Sequence, residues 1–305
     1  MVFLNTQKCL DKAYEHAKVQ WFDDASDYIF FSDCHRGDDS VSDEFARNQT
    51  LMVSALNYYY DKGYTYVEAG DGDELWEHAN FKHIRAAHTD VFTVMKQFYD
   101  SNRLVLLYGN HNIYLRNPHY VKYHYYYFYD EYEDKEQTLF RGIKPQEALL
   151  LKHKTTGQQI LIIHGHQGDF WNDQAWFFSM LTLRYFWKFM HLVGFRNPAS
   201  PAKNQQKRHK IEKNYSSWIK KHKIMLICGH THRMKFSKPN KYPYFNIGCA
   251  IHTKGITGIE IKHGEIMLVQ WRIQADKQGV LHTVRNIIGG PVPIEKYHKN
   301  IVKFE

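Results

Sequence analysis

One short pattern occurs five times in this chain: an apolar run of strand length that ends in a burst of Asp, Asn or His. The five are Tyr28-Ile-Phe-Phe-Ser-Asp-Cys-His35, Tyr66-Val-Glu-Ala-Gly-Asp71, Leu104-Val-Leu-Leu-Tyr-Gly-Asn-His111, Ile160-Leu-Ile-Ile-His-Gly-His166 and Leu226-Ile-Cys-Gly-His-Thr-His232. In the last, His230 and His232 sit two residues apart on a sharp turn, so both rings can point into one space. A single such string carries little weight in a chain with 20 His. Five in series imply strand ends that deliver N and O donors to one place. The expectation is an active site built along one edge of a sheet.

The elements between these runs set the fold class. Residues 5–20 read as an outer helix, Asp27–Ser32 as a strand, and 43–61 as a helix closed by Gly63. A strand at Thr65–Ala69, a helix at 83–100 and a strand at Arg103–Tyr108 follow. Strand, helix, strand, helix, strand implies parallel strands joined by right-handed crossovers. The Tyr-rich stretch 113–146 reads as an irregular excursion, either packed on the surface or walling a substrate groove. Strands resume at Ala148–His153 and Gln159–Ile163. After His232, strands at Tyr242–Ile247, Gly255–Lys262 and Glu265–Arg272 read as a meander that makes the other half of a sandwich. No role is read for the tail 276–305.

Residues 170–223 stand apart. From Trp171 to Val193 the chain is apolar and aromatic almost all round, with Arg184, Lys188 and His191 as one polar strip. Gly194, Pro198 and Pro201 break this helix. Residues 203–223 then read as a basic helix. Between Arg196 and Lys223 there are nine Lys and Arg against one acid, Glu212. A solvated face and an anion-binding face both fit such a run.

Composition narrows the classes. An apolar content of 43% and an aromatic content of 16% argue for a packed globular chain rather than disorder. The net charge of +8 points to an anionic partner: a phosphate ester, a nucleic acid or an acidic membrane surface. No apolar run reaches bilayer-spanning length, and Met1 to Gln20 lacks a signal-peptide layout. Cys9, Cys34, Cys228 and Cys249 are scattered without CxxC spacing. They read as reduced thiols, and the expected location is cytoplasmic.

A pair of divalent ions needs carboxylate, imidazole or carbonyl ligands and one ligand that bridges. Asp71 follows a strand and a Gly, where a carboxylate can approach two ions. Asp33, His35, Asn110, His164, His230 and His232 can complete both spheres. N and O donors without thiolate suit Mn, Fe, Zn or Co, with Mn favoured, over Mg or Ca. His166 follows His164 by two and reads either as a histidine bonded to backbone near the centre or as one facing the site, and Cys34 reads as a small filler.

The five blocks in order, Asp33-Cys-His35, Gly70-Asp-Gly-Asp-Glu74, Gly109-Asn-His-Asn112, His164 and Gly229-His-Thr-His232, resemble the calcineurin-like metallophosphoesterase superfamily. Its pattern is D-x-H, G-D-x-x-[DE], G-N-H-[DE], H and G-H-x-H. The resemblance runs from about residue 27 to 272. It implies an α/β fold, a four-layer αββα sandwich, here as one domain over 1–305 with a helical cap inserted at 170–223. It implies Asp33, His35, Asp71 and His232 around one divalent ion and Asp71, Asn110, His164 and His230 around a second. His111 matches the family's non-ligand His, which assists the leaving group, and Glu74 matches the acid that orients it. Asn112 departs from the pattern, where an acid is usual.

Within the superfamily, Glu74-Leu75-Trp76 and the insertion between His164 and His230 are similar to the UDP-2,3-diacylglucosamine hydrolase branch. That branch uses Arg where this chain has His111. The implied activity is phosphoester hydrolysis by a metal-bridging hydroxide attacking phosphorus in line, on a phosphorylated small molecule or a lipid-linked nucleotide. Residues 170–223 would then also touch an anionic membrane. The alternatives are a nuclease or cyclic-nucleotide phosphodiesterase acting through the basic helix, a serine/threonine-type phosphatase, and a scaffold without catalysis.

Overall fold

The computed structural model describes residues 5–131, 133–168, 180–181 and 205–301. Two sheets form its centre. One contains β2 (Tyr28–Phe31), β3 (Thr65–Ala69), β4 (Leu104–Leu107), β11 (Ile256–Lys262), β12 (Glu265–Ala275) and β13 (Leu281–Pro293), in the order β13-β12-β11-β2-β3-β4. The other contains β1 (Lys18–Phe22), β7 (Ala148–His153), β8 (Gln159–Ile163), β9 (Met225–Cys228) and β10 (Tyr244–Asn246), in the order β1-β7-β8-β9-β10. A small hairpin of β5 (Tyr127–Asp130) and β6 (Lys135–Thr138) stands outside both.

Side-chain alternation explains why the sheets stack, since successive strand residues point to opposite faces. Tyr28 and Phe30 of β2 face Leu149 and Leu151 of β7, Ile160 and Ile162 of β8, and Met225 and Ile227 of β9 in one buried cluster. Ile29 and Phe31 point the other way. They pack under α2 (Gln49–Asp61), α3 (Phe81–Ala87) and α4 (Thr89–Asp100) with Leu56, Tyr59, Ile84 and Met95. On the far side, Leu150, Leu161, Ile163 and Leu226 meet α1 (Thr6–Glu15) and α6 (Gln205–His222) through Leu10, Ile211, Tyr215, Trp218 and Ile219. The result is the expected four-layer αββα sandwich. The basic α6 is held by these apolar side chains, each worth about 1.5–3 kcal/mol when fully buried. Its charges lie on the opposite face, where Lys210, Lys213 and Lys220 are exposed.

Several expectations are corrected. The strand ends do not line one sheet edge: β2, β3 and β4 belong to one sheet, and β8 and β9 to the other. Of the three strands expected as a meander building the second half of the sandwich, only β10 joins the second sheet, parallel to β9. β11 pairs antiparallel with β2 and so extends the first sheet, because Ile259 and Ile261 complete the inter-sheet cluster. The helix expected over 5–20 stops at Glu15, and Lys18–Phe22 instead pairs parallel with β7. The helix expected over 83–100 breaks at His88, whose buried ring is tied to Asp43 and Gln49. The 113–146 stretch holds α5 (Pro118–Tyr125) and the β5–β6 hairpin. The tail supplies β13 and α7 (Ile294–Ile301).

Most of the expected apolar helix at 171–193 lies outside the described residues. Its Met180 is buried, and its Sδ accepts a hydrogen bond from Tyr114, just beyond His111, at 3.0 Å. Among the described residues, no helix is long and apolar enough to cross a membrane.

Candidate metal centre

Each of the five strands ends where the chain must turn sharply away from its sheet. Asp33, His35, Asp71, His230 and His232 all adopt positive φ, between 47° and 65°. Non-glycine residues there are uncommon, and each costs about 1–3 kcal/mol unless its surroundings hold it. The holding groups are visible. The β2 and β3 loops continue the parallel ladder, with Asp33 N donating to Gly70 O at 3.1 Å and His35 N to Asp71 O at 2.9 Å. Gly229 N donates to His164 O at 2.8 Å, which joins the β8 and β9 loops. His230 N donates to Asp33 Oδ2 at 2.9 Å and so ties the two sheets together. Gly109 has no room for a side chain: a Cβ would strike the Asp71 carboxylate and come within 2.7 Å of the His164 ring.

The side chains gather into two groups that a third links. Asp33, His35 and His232 form one, and Asp71, His164 and His230 the other, with the donor atoms of each group within 4.8 Å of one another. In the first, His232 Nε2 lies 3.1 Å from Asp33 Oδ1 and 3.3 Å from His35 Nε2. In the second, His164 Nε2 lies 3.0 Å from Asp71 Oδ2. That same Asp71 oxygen is 3.8 Å from His35 Nε2, so Asp71 stands between the groups. His35, Asp71 and His111 form a third set of neighbours.

Two observations test whether this cluster suits a cation. Asn110 is buried, and its Oδ1 has no hydrogen-bond partner among the described residues. A buried amide oxygen left unpaired costs free energy, and a cation would satisfy it. The histidines are also oriented from behind. His35 Nδ1 meets Glu74 Oε2 at 2.7 Å, and His164 Nδ1 meets the Ala69 carbonyl at 3.2 Å. Each Nδ1–H donates, which leaves Nε2 toward the cluster, as metal-ligating His requires. The donor set therefore fits divalent ions.

The charges are strongly interdependent. Burial alone would raise the Asp71 carboxyl, but His164 and His111 outweigh it and hold it below the usual range. Burial likewise opposes the charge on Glu74, yet His111 and His35 hold that carboxyl low. Asp33 is buried and still lowered, by His232 and His164. Burial would lower His35, but Asp33 and Glu74 raise it. His164 is raised against burial by Asp71 and Asp33.

His111 sits at the rim. Its Nδ1 lies 2.6 Å from Glu74 Oε2, and its backbone N–H donates to Asp71 Oδ1 at 2.8 Å. Trp76 stacks on one face of the ring, with centroids 4.3 Å apart. Glu74 thus receives two imidazoles, His35 and His111. The departure at Asn112 has a simple outcome: its Oδ1 accepts from Gly109 N at 2.6 Å and shapes the turn, while Glu74 holds His111. His166 is buried with its ring 5.5 Å from that of His164 and lies outside the three groups. Cys34 is buried among apolar residues, and burial pushes its thiol well up.

Three supporting residues escape a sequence reading. Asn246 donates to Gly229 O at 2.7 Å and Thr231 Oγ1 at 3.1 Å, which holds the His230–His232 turn. Trp76 enters the sequence reading only as part of Glu74-Leu75-Trp76, and its stacking on His111 escapes it. Arg36 looks like a turn residue but is fully buried between Glu68 and Asp73. An acid at 68, in the middle of an apolar strand, is the one signal that something must pair with it.

A scan against protein-family models finds no match, and a search of curated proteins finds none. A search of solved structures finds the crystal structure of Chaetomium thermophilum Vps29. It is 11% identical, with 88% of this chain and 99% of that chain covered and a TM-score of 0.40. At that distance the likeness carries no argument about this chain. The layers and the donor cluster define this chain as an α/β sandwich with a candidate metal centre at its strand ends.

Proposed function

We propose that this protein is a dinuclear metal-dependent phosphoester hydrolase. The observation that carries this reading is the convergence of Asp33, His35, Asp71, His164, His230 and His232, with a buried, unpaired oxygen on Asn110 in the loop after β4. Asp33, His35 and His232 would hold one ion, and Asn110, His164 and His230 the other, with Asp71 shared. Bound divalent ions supply Lewis acidity toward phosphoryl oxygens and a nucleophilic water at neutral pH.

The chain's own residues do the rest. Glu74 fixes the His111 ring through Nδ1, and Trp76 fixes its plane. Nε2 is then the atom that can give a proton to a leaving oxygen or bond a developing charge. The Asp71 carboxylate anchors the His111 backbone, so proton donor and ligand cluster share one frame.

The substrate class we favour is a phosphodiester or pyrophosphate on a small or lipid-linked nucleotide. Only the part of the expected 170–223 cap that precedes α6 would serve as a cap, because α6 itself is packed as a layer of the sandwich. The exposed lysines of α6 favour an anionic surface beside it, and nucleic acid is the competing reading. Manganese is the expected metal. The test is elemental analysis followed by hydrolysis with added Mn²⁺ of a simple phosphodiester, a phosphomonoester and a UDP-linked acylated sugar. About two ions per chain and turnover of at least one substrate support the reading. A chain that binds no divalent ion and cleaves none of them is a scaffold.

A further inference from the structure

The Asp33–His35 loop and the Asp71–Glu74 loop are joined by a buried ion network that the metal reading does not use. Arg36 is 1% exposed. Its Nη1 and Nη2 donate to the two oxygens of Glu68 at 2.6 and 2.8 Å, and its Nε donates to Asp73 Oδ1 at 2.8 Å. Tyr66 completes Glu68 at 2.8 Å, and Tyr125 of α5 completes Asp73 at 2.6 Å. The guanidinium lies 5.0 Å over the Phe92 ring of α4. The backbones pair as well: Arg36 N donates to Gly72 O at 2.9 Å, and Glu74 N to Arg36 O at 3.0 Å. A Cβ at Gly72 would strike Glu68 and approach Arg36 Nη2 at 2.6 Å, so only glycine admits this arrangement.

Such a network is a poor device for stability alone, because desolvating three charges offsets most of their attraction. What it supplies is geometry. A planar guanidinium with several filled donors has one orientation. Two members of the network adjoin the candidate centre in sequence: Arg36 follows His35, and Asp73 precedes Glu74. We propose that Arg36, clamped by Glu68 and Asp73, is a positioning residue that sets the spacing between the His35 and Asp71–Glu74 loops and thereby the competence of the metal centre. The proposal rests on the metal reading above.

The experiment compares wild type with Arg36→Lys, which keeps the charge and loses the fork. Two quantities are read: Mn²⁺ affinity by titration calorimetry, and hydrogen exchange of peptides covering 32–38 and 70–77. The expected result is Mn²⁺ affinity weaker by about 10- to 100-fold, the usual effect of removing a residue that orients ligands. Exchange in the two loops is expected to be at least about tenfold faster, with the rest of the sheet unchanged. Unchanged affinity overturns the proposal whether or not the loops exchange faster, since the network is then only structural. Weaker affinity with unchanged exchange also overturns it, since the loss then does not come through the two loops. If Arg36→Lys does not fold, the same comparison is read on Asp73→Asn, which preserves shape and leaves Arg36 paired with Glu68. A wild type that binds no Mn²⁺ overturns the metal reading itself, a different result from a wild type and variant that bind equally.

Discussion

Two histidine–carboxylate pairs in this molecule look alike on paper and occupy different worlds. His88, between α3 and α4, meets Asp43 Oδ2 through Nε2 at 2.8 Å and Gln49 Oε1 through Nδ1 at 2.5 Å. Its side chain is fully buried. His111, after β4, meets Glu74 through Nδ1, stacks on Trp76 and keeps a fifth of its side chain exposed. In the first pair both ring nitrogens are committed to protein, so the ring is a strut. In the second, one nitrogen is committed and the ring reaches the rim of a donor cluster. The pairing itself does not mark a functional histidine. A second ring nitrogen left over beside a donor cluster does.

The comparison can be broken by mutation. The largest effect is expected for Asp71→Asn, which removes the carboxylate standing between both groups. Hydrolysis should fall to background and bound metal should drop at both positions, with circular dichroism showing a folded chain. Full activity in this variant would end the two-ion assignment.

His111→Ala should leave metal content unchanged and lower the rate by about 10²–10⁴-fold, the range of acid–base groups. A loss of metal on this substitution would make His111 a ligand and collapse its contrast with the cluster.

His88→Ala should do the opposite. It removes the buried imidazole that bonds both Asp43 and Gln49, leaving Asp43 only its backbone N–H donors, and is expected to cost about 1–3 kcal/mol in denaturant unfolding. The rate per folded molecule should be preserved. A stable but inactive His88→Ala would erase the distinction between strut and rim.

Acid sharpens the same pair. The Asp43 carboxyl is lowered: burial would raise it, but His88 and the backbone N–H groups of the loop outweigh that. Its contribution is present above the unfolded carboxyl pKa of about 3.9 and is lost as pH falls through the lower folded value. The stability gap between wild type and Asp43→Asn should therefore close in acid. A gap that stays constant down to pH ~2 would mean that shape, not charge, holds His88.

The smallest effect is expected for Asn112→Asp. Its Oδ1 already accepts from Gly109 N, and a carboxylate oxygen can do the same. Rates within about threefold of wild type are expected, under 1 kcal/mol at the transition state. A large gain would mean that Glu74 alone does not hold His111.

Legibility followed the range of the interactions. β3, β7 and β8 have the expected bounds, because short β-branched and apolar runs between turn residues declare themselves locally. β1 did not, since Lys-Val-Gln-Trp-Phe becomes a strand only by pairing with β7 across more than a hundred residues. The break at His88 was equally hidden, because Asp43 and Gln49 act from another part of the chain. Glu74 was legible as a partner of His111 but not as the simultaneous partner of His35.

Spacing, glycine placement and residue type alone determined which side chains could be donors, and that strands would present them. Those are properties of a few consecutive residues: an extended run must end, and a Gly lets it end abruptly. Only the tertiary structure decided that the five ends come from two sheets rather than one edge, that β11 to β13 extend the first sheet, and that Arg36 clamps two loops. These depend on which apolar faces meet and on charges brought together after the chain has folded. No local pattern records such pairings, because their free energy exists only once water has been removed from between the layers.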